Sequence, residues 1–287
     1  MRNDPPARLR SACRFPERIG ETGMKTIFRF ATLAALLAGA PARAQEPLHL
    51  PLLLPLTGAL ALEGQSQRLG ALLKINELQT QGDTGRHIRL SHAVFDTASN
   101  PQVAVQAFER AMGAEIRPRA MLGPIDGNSM LALLPLAERE KVVLLSISGT
   151  ARLTELGNTH IFRFFPSDVV VKAAQARYAV EELRRKKIAL VYQNTAYGQS
   201  GNEQLGRWVE ALGAAVVYRN SVPVTTKELS GVIAQVRDSG ADVVLLQLHS
   251  GSSALFVKQA ARAGLALPIV GGSALHQPST AALLEPA

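Results

Sequence analysis

From Leu48 onward, short apolar runs alternate with longer stretches in which an apolar residue recurs every three or four positions. Residues 48–54 are apolar except for His49 and Pro51, and read as a buried strand ended by Pro55-Leu56-Thr57-Gly58. Residues 66–79 put Leu69, Leu72, Leu73 and Asn76 on one face at helical spacing. Residues 88–94 return to a strand pattern. Residues 101–113 bring Ala104, Ala107, Phe108 and Ala111 to one side, with Pro101 and Gly113 at the ends those residues favour. A strand at 120–122, a helix at about 128–140 and a strand at 142–145 continue the series. Near 161–166 the rhythm breaks and restarts. Strands are predicted at 188–192, 214–218, 242–248 and 267–270, with helices at about 201–212, 227–238 and 252–263. The helix near Lys227 shows the stripe Leu229, Val232, Ile233, Val236. Apolar strands joined by amphipathic helices imply parallel sheets covered on both faces. Two such series predict two Rossmann-like α/β lobes, at 45–165 and 166–287.

In open parallel sheets, ligands bind at the loops beyond the strands' carboxyl ends. Here those loops are Pro55-Leu56-Thr57-Gly58, Asp96-Thr97-Ala98-Ser99-Asn100-Pro101, Gly123-Pro124-Ile125-Asp126-Gly127-Asn128-Ser129 and Ser146-Ile147-Ser148-Gly149-Thr150. They are rich in hydroxyls, Gly and Asn and poor in charge. Exposed N–H groups ahead of a helix suit a small ligand's carboxylate. Ordinary turn and cap chemistry favours the same residues, and both readings stand at this point.

The formal charge of +8 invites a nucleic-acid reading, which its location removes. Eight of the 31 Lys and Arg residues precede Gln45, against only three of the 23 Asp and Glu, so the rest of the chain is nearly balanced. The run Arg184-Arg185-Lys186-Lys187 reads as a solvated helix end, with a phosphate-binding patch as the alternative. Met24-Lys25, an apolar stretch from Phe30 to Ala40 and Ala42-Arg43-Ala44 have the form of a cleaved Sec signal peptide at 24–44. The apolar stretch is about half of the ~20 residues a membrane span needs. Residues 1–23 fit no part of such a signal and read as an upstream-start artefact, with an unusually long basic leader as the alternative. The expected compartment is the periplasm. Cys13, in that leader, is the only cysteine, so the mature part has no disulfide, thiolate metal site or Cys nucleophile.

The order of the strand-end motifs resembles the leucine/isoleucine/valine-binding protein family. The matching features are Pro55-Leu56-Thr57-Gly58 with Gly64 and Asn76-Glu77, then Asp96-x-x-x-Asn100-Pro101. Gly123-Pro124 with Pro135-x-Ala137-Glu138, and Leu145-Ser146-x-Ser148-Gly149-Thr150 with Leu153-Thr154, follow. Phe162-Arg163 with Phe165, and Tyr197-Gly198, complete the series. The resemblance covers about 47–273. It implies a type I periplasmic binding fold, two lobes closing on a small ligand about a hinge. It further implies a Ser148 carbonyl facing a ligand amine and a Thr150 hydroxyl and N–H facing a carboxylate. Gly127 stands where many relatives have serine, with Asn128 and Ser129 as substitutes. Tyr197 falls at an aromatic position over the ligand, and His249 where a tyrosine is common. Ser273 falls where an acid commonly pairs with the ligand's ammonium. Glu63 is a candidate replacement for that acid, with an exposed loop glutamate as the alternative. An unpaired buried ammonium costs several kcal/mol. An ordinary branched-chain amino acid is therefore not the expected ligand; a carboxylate, amide, urea-like compound or aromatic acid fits as well.

The resemblance also implies an ABC permease in the inner membrane as partner, a monomeric state, and further C-terminal elements, so the chain is expected to be truncated. Missing elements would leave apolar faces uncovered. Neither Gly-x-Gly-x-x-Gly opening the first helix nor Gly-x-x-x-x-Gly-Lys-Ser/Thr occurs, and Gly149-Thr150 lacks a Gly-x-Ser-x-Gly elbow. The histidines show no H-x-x-x-H spacing. No cofactor, metal, catalytic residue or nucleic-acid partner is expected. A ligand-responsive sensor on the same fold, and a hydrolase using His249 as base, are the alternatives.

Overall fold

The apolar runs fold as strands and the periodic stretches as helices in a computed structural model that describes residues 46–81 and 88–284. The leader, the signal-peptide reading, Cys13 and the last three residues lie outside the described residues. Strand β1 (Glu46–Leu54) leads into α1 (Ala61–Gln81), β2 (Ile88–Asp96), α2 (Pro101–Met112), β3 (Ala120–Leu122), α3 (Gly127–Glu140), β4 (Val143–Ser146) and β5 (Ile161–Arg163). These strands form one parallel sheet in the order β2-β1-β3-β4-β5. Helix α4 (Asp168–Arg177), prolonged by a π-helical turn at Tyr178–Glu182, opens the second series. It continues through β6 (Lys187–Gln193), α5 (Ala196–Ala211), β7 (Ala215–Val222), α6 (Ser230–Asp238), β8 (Val243–Gln247), α7 (Ser250–Arg262), β9 (Ile269–Gly271) and α8 (Pro278–Leu284). The second sheet is also parallel, in the order β7-β6-β8-β9. In each sheet the first strand sits inside, so successive crossovers leave in opposite directions and open a crevice at the carboxyl ends.

Alternate residues of each strand face opposite layers. Leu53, Met121 and Leu144 pack against Phe108 of α2 and Leu133 of α3, while Leu52 and Leu54 meet Ile75 of α1. In the second lobe, Ile188, Leu190 and Leu245 face Ala176 and Leu205, and Val191, Val244 and Leu246 face Ile233 and Phe256. Burial of each such side chain contributes roughly 1.5–3 kcal/mol.

Two expectations need correction. Helix α1 begins at Ala61, and of the apolar face expected at 66–79 only Leu72 packs against the core. Leu69 and Leu73 are 62% exposed, whereas Glu63, Gln67 and Ile75 are buried. Gly64 belongs to the inner face because a Cβ there would lie 2.0 Å from the Pro55 carbonyl oxygen. Glu63 is accordingly not an exposed loop residue; it sits in the first turn of α1 at 5% exposure. Helix α4 went unassigned because its buried face, Asp168, Lys172, Gln175 and Ala176, is mostly polar.

Candidate functional site

The loops at the carboxyl ends of the two sheets are held by side chains that complete backbone hydrogen bonds. Asp96, ending β2, accepts from the N–H groups of Leu56 and Ala98 at 2.9 and 2.8 Å and from the Thr57 hydroxyl at 2.6 Å. Partial burial pushes its carboxyl up, but these bonds and the Thr57 N–H outweigh that and hold it below the usual carboxylate value. Ser99 donates to the Thr57 carbonyl and accepts from Leu60 N–H, which fixes Leu60. Gln67 donates to the Gly123 carbonyl at 2.8 Å and accepts from Ile125 N–H at 3.1 Å, clamping the loop after β3. In the second lobe, Gln247 donates to the Tyr197 carbonyl at 2.9 Å, and Gln193 accepts from His249 N–H at 3.3 Å.

Between these loops lies a cavity of about 120 Å3. The first lobe contributes Leu60, Glu63, Ile125, Asp126, Ile147 and Gly149 to its wall. Phe165 comes from the crossover, and Tyr197, His249, Ser273, Ala274 and Gln277 from beyond it. An adjoining cavity of similar volume shares Leu60, Asp126 and His249 and adds Gly127, Asn128, Asn194 and Thr195. Of the nine residues singled out in the sequence, Glu63, Tyr197, His249 and Ser273 line the first cavity, and Gly127, Asn128 and His249 the second.

Ser129, Ser148 and Thr150 line neither cavity; all three are buried behind the wall. The Ser148 hydroxyl donates to Thr150 Oγ1 at 3.3 Å, and Thr150 fills the space beside Gly127, where a Cβ would lie 2.2 Å from Thr150 Oγ1. Thr150 and Tyr197 still belong to one neighbourhood: a Cβ on Gly149 would lie 3.7 Å from the Tyr197 ring.

The polar groups of the wall are unevenly satisfied. Asp126 caps α3 by accepting from Ser129 N–H at 2.8 Å, with the Ser129 hydroxyl beside its carboxyl. Burial pushes its carboxyl above the usual value, against the Ser129 bonds that pull it down. Burial, with the Asp168 charge second, raises the Tyr197 phenol. The His249 ring stacks on Tyr197 at 5.1 Å between centroids and meets Thr195 Oγ1 at 3.2 Å. Its burial pushes the imidazole down to about 4, opposed by the Glu63 carboxylate, so it is neutral near pH 7. Behind Ser273, Lys172 Nζ lies 3.8 Å from Asp168 Oδ1 and 5.7 Å from the Tyr197 ring centre.

Among the described residues, three hydrogen bonds that use a side chain join the lobes around the cavity, beside the backbone bond from Asp168 N–H to the Gly149 carbonyl at 2.8 Å. Ser250 N–H donates to Glu63 at 2.9 Å, Ala196 N–H to Asn128 Oδ1 at 2.7 Å, and Ala151 N–H to Ser200 Oγ at 2.9 Å. Sequence reasoning missed Asp126, Gln67 and Gln277 as parts of this site. Asp126 lies in the loop after β3, where a helix cap is its ordinary reading.

Comparison with known proteins places this geometry. The profile of the family described as periplasmic binding protein matches residues 47–287. The Leu/Ile/Val-binding protein BraC3 of Rhizobium johnstonii is 26% identical over 247 residues, covering 85% of this chain and 66% of the relative. The crystal structure of the leucine binding protein LivK from Thermotoga maritima superposes with a TM-score of 0.75 at 21% identity, over 83% of this chain and 66% of that one. An R. palustris solute binding protein in complex with benzoate gives 0.73 at 21%, over 83% and 65%. The chain thus spans just under two thirds of the length of these relatives. With a match over nearly all of the described residues and the same two-lobed α/β fold, the chain belongs to the periplasmic binding protein family.

Proposed function

We propose that this chain is the extracytoplasmic solute-binding protein of an ABC importer. Two lobes, 45–165 and 166–287, close over a small amino-acid-like, carboxylate or amide ligand, and an inner-membrane permease receives it. The observation that carries this reading is the cavity walled by strand-end loops of both sheets and bridged by hydrogen bonds from lobe to lobe. The space of about 120 Å3 shares Glu63, Ile125, Ile147 and Gln277 with a neighbouring one of about 560 Å3, which together give room for a small metabolite. The apolar side chains Leu60, Ile125, Ile147 and Phe165 exclude water, and the few polar groups fix orientation. Binding without transformation fits the chemistry. The hydroxyl beside His249 is that of Thr195, which already accepts from Gly198 N–H as the cap of α5. Gly127, Asn128, Ser129, Ser148, Thr150, Tyr197, His249, Ser273 and Glu63 are the binding residues on this reading, with Ser129, Ser148 and Thr150 supporting the wall from behind.

Leucine is expected to bind weakly, because Ser273 brings a hydroxyl without a charge to the wall where the resemblance implies an acid. Isothermal titration of residues 45–287 against a metabolite panel tests the proposal. One ligand should bind and stabilise the fold by about 2.7 kcal/mol at a hundredfold excess over Kd. Submicromolar leucine binding would overturn the ligand assignment, and silence from the whole panel would overturn the binding function.

A further inference from the structure

The first cavity, at about 120 Å3, is smaller than the ~300–1,000 Å3 of ordinary small-molecule sites. The neighbouring space of about 560 Å3 falls inside that range, and the two adjoin along Glu63, Ile125, Ile147 and Gln277. The larger space is a groove. Helix α1 contributes Gly70 and Ala71, α8 contributes Pro278, and the ends of β3 and β4 contribute Leu122, Ile125 and Ile147. Leu122, Ile125 and Ile147 are only half-buried, so they bring apolar surface to it. Its larger polar side chains are already engaged. Gln67 holds the Gly123 carbonyl and Ile125 N–H, Glu63 accepts from Ser250 N–H, and Gln277 accepts from the Ser250 hydroxyl at 3.1 Å. Glu63, on the shared edge, is the one ionisable side chain of the lining and the one residue of the nine singled out in the sequence that touches the groove.

We propose that the ligand spans both spaces, with a small polar head in the first cavity and an extended apolar tail laid along the groove between α1 and α8. This rests on the first cavity being the ligand site. The ligand class is a carboxylate, amide or amino acid whose chain runs several carbons past that of leucine and ends without a second charge. A charged end would give up water in the groove and find no free partner there. Methylenes gain from the same surroundings, each one buried tightening binding about fourfold. Gly70 sets the width of the groove. A Cβ there meets nothing within 4 Å, so a larger side chain at this point enters the groove without displacing its neighbours.

Three homologous series test this by isothermal titration, each with tails of four, six and eight carbons: the straight-chain carboxylates, their primary amides and the straight-chain 2-amino acids. Within the series whose head group binds, affinity should rise on the order of a hundredfold from four carbons to eight. Gly70→Phe replaces a helix-interior glycine, so it should melt at or above the parent temperature. It should weaken the eight-carbon member at least tenfold and so flatten the series. A four-carbon member that binds as well as its longer homologues overturns the tail while leaving the ligand site intact. Equal eight-carbon affinity in Gly70→Phe overturns its course along α1. A dimer in light scattering that Gly70→Phe dissociates would give the groove to a second copy of the chain and overturn the proposal as well. Silence from all nine probes overturns the ligand site and this inference together.

Discussion

At the residue scale the costliest feature is the buried pair Asp168–Lys172, with side chains 1% and 0% exposed. Burial pushes the Asp168 carboxyl up to about 6, although Lys172 pulls it down; burial pushes the Lys172 ammonium down to about 8, although Asp168 pulls it up. For Asp168 the folded value exceeds the unfolded one, so its stability contribution is present below about pH 4 and lost as pH rises through 6. For Lys172 the folded value is depressed, so its contribution is present above about pH 10 and lost as pH falls through 8. At pH 7 both burials count against folding, and the partners offset each other. Lys172→Met removes its nearest offset and leaves Asp168 to the more distant Arg163 charge and the Ser200 and Gln247 side chains, which should cost about 3–5 kcal/mol at pH 7, with part recovered below pH 5. The double variant Asp168→Asn/Lys172→Met should be neutral or up to about 4 kcal/mol more stable than the parent. Urea midpoints at pH 5 and 7 measure both; a single variant as stable as the parent would show that Lys172 does not support Asp168.

Helix α1 shows at the element scale what apolar periodicity can and cannot disclose. Ile75 packs under β1 while Leu73, two positions earlier, is 62% exposed. Ile75→Ala should therefore cost about 2–5 kcal/mol and Leu73→Lys less than about 0.5 kcal/mol. The reverse order in chemical denaturation would restore the face read from Leu69, Leu72 and Leu73. Alternation of strands and helices was legible because the buried residues of β1, β4, β6 and β8 are apolar up to the carboxyl ends, where Ser146, Gln193 and Gln247 are buried instead. The face of α1 was not, since Glu63 and Gln67 are buried for their hydrogen bonds, which no hydrophobicity pattern records. The same reason hid α4, whose inner face carries Asp168 and Lys172. Of the site, Tyr197, His249 and Ser273 were legible from motif order. The seclusion of Thr150 and Ser148 was not, because it depends on Thr150 occupying the volume that Gly127 leaves vacant.

At the scale of the whole molecule, the proposed closure of the lobes can be tested at Ser200, which makes one of the contacts between them. Its Oγ accepts from Ala151 N–H across the lobes, yet Ser200 lines neither cavity. With the lobes apart, water can satisfy Ala151 N–H; with them together, only Ser200 does. Ser200→Ala therefore leaves a buried donor unmade in the closed form alone, a cost of about 1–3 kcal/mol. A penalty confined to the binding-competent form lowers apparent affinity in proportion to the population lost. Ligand Kd should rise roughly tenfold at the middle of that range. The rise should come through faster dissociation, since interface changes act mostly on release, while the contact of the Ser200 hydroxyl with the Asp168 carboxyl inside its own lobe is lost in both forms alike. Stopped-flow binding with the best ligand of the titration panel separates the two rates. An unchanged dissociation rate would mean that the Ala151–Ser200 bond does not distinguish closed from open lobes. A fall in association rate alone would place the effect on the encounter instead of on closure.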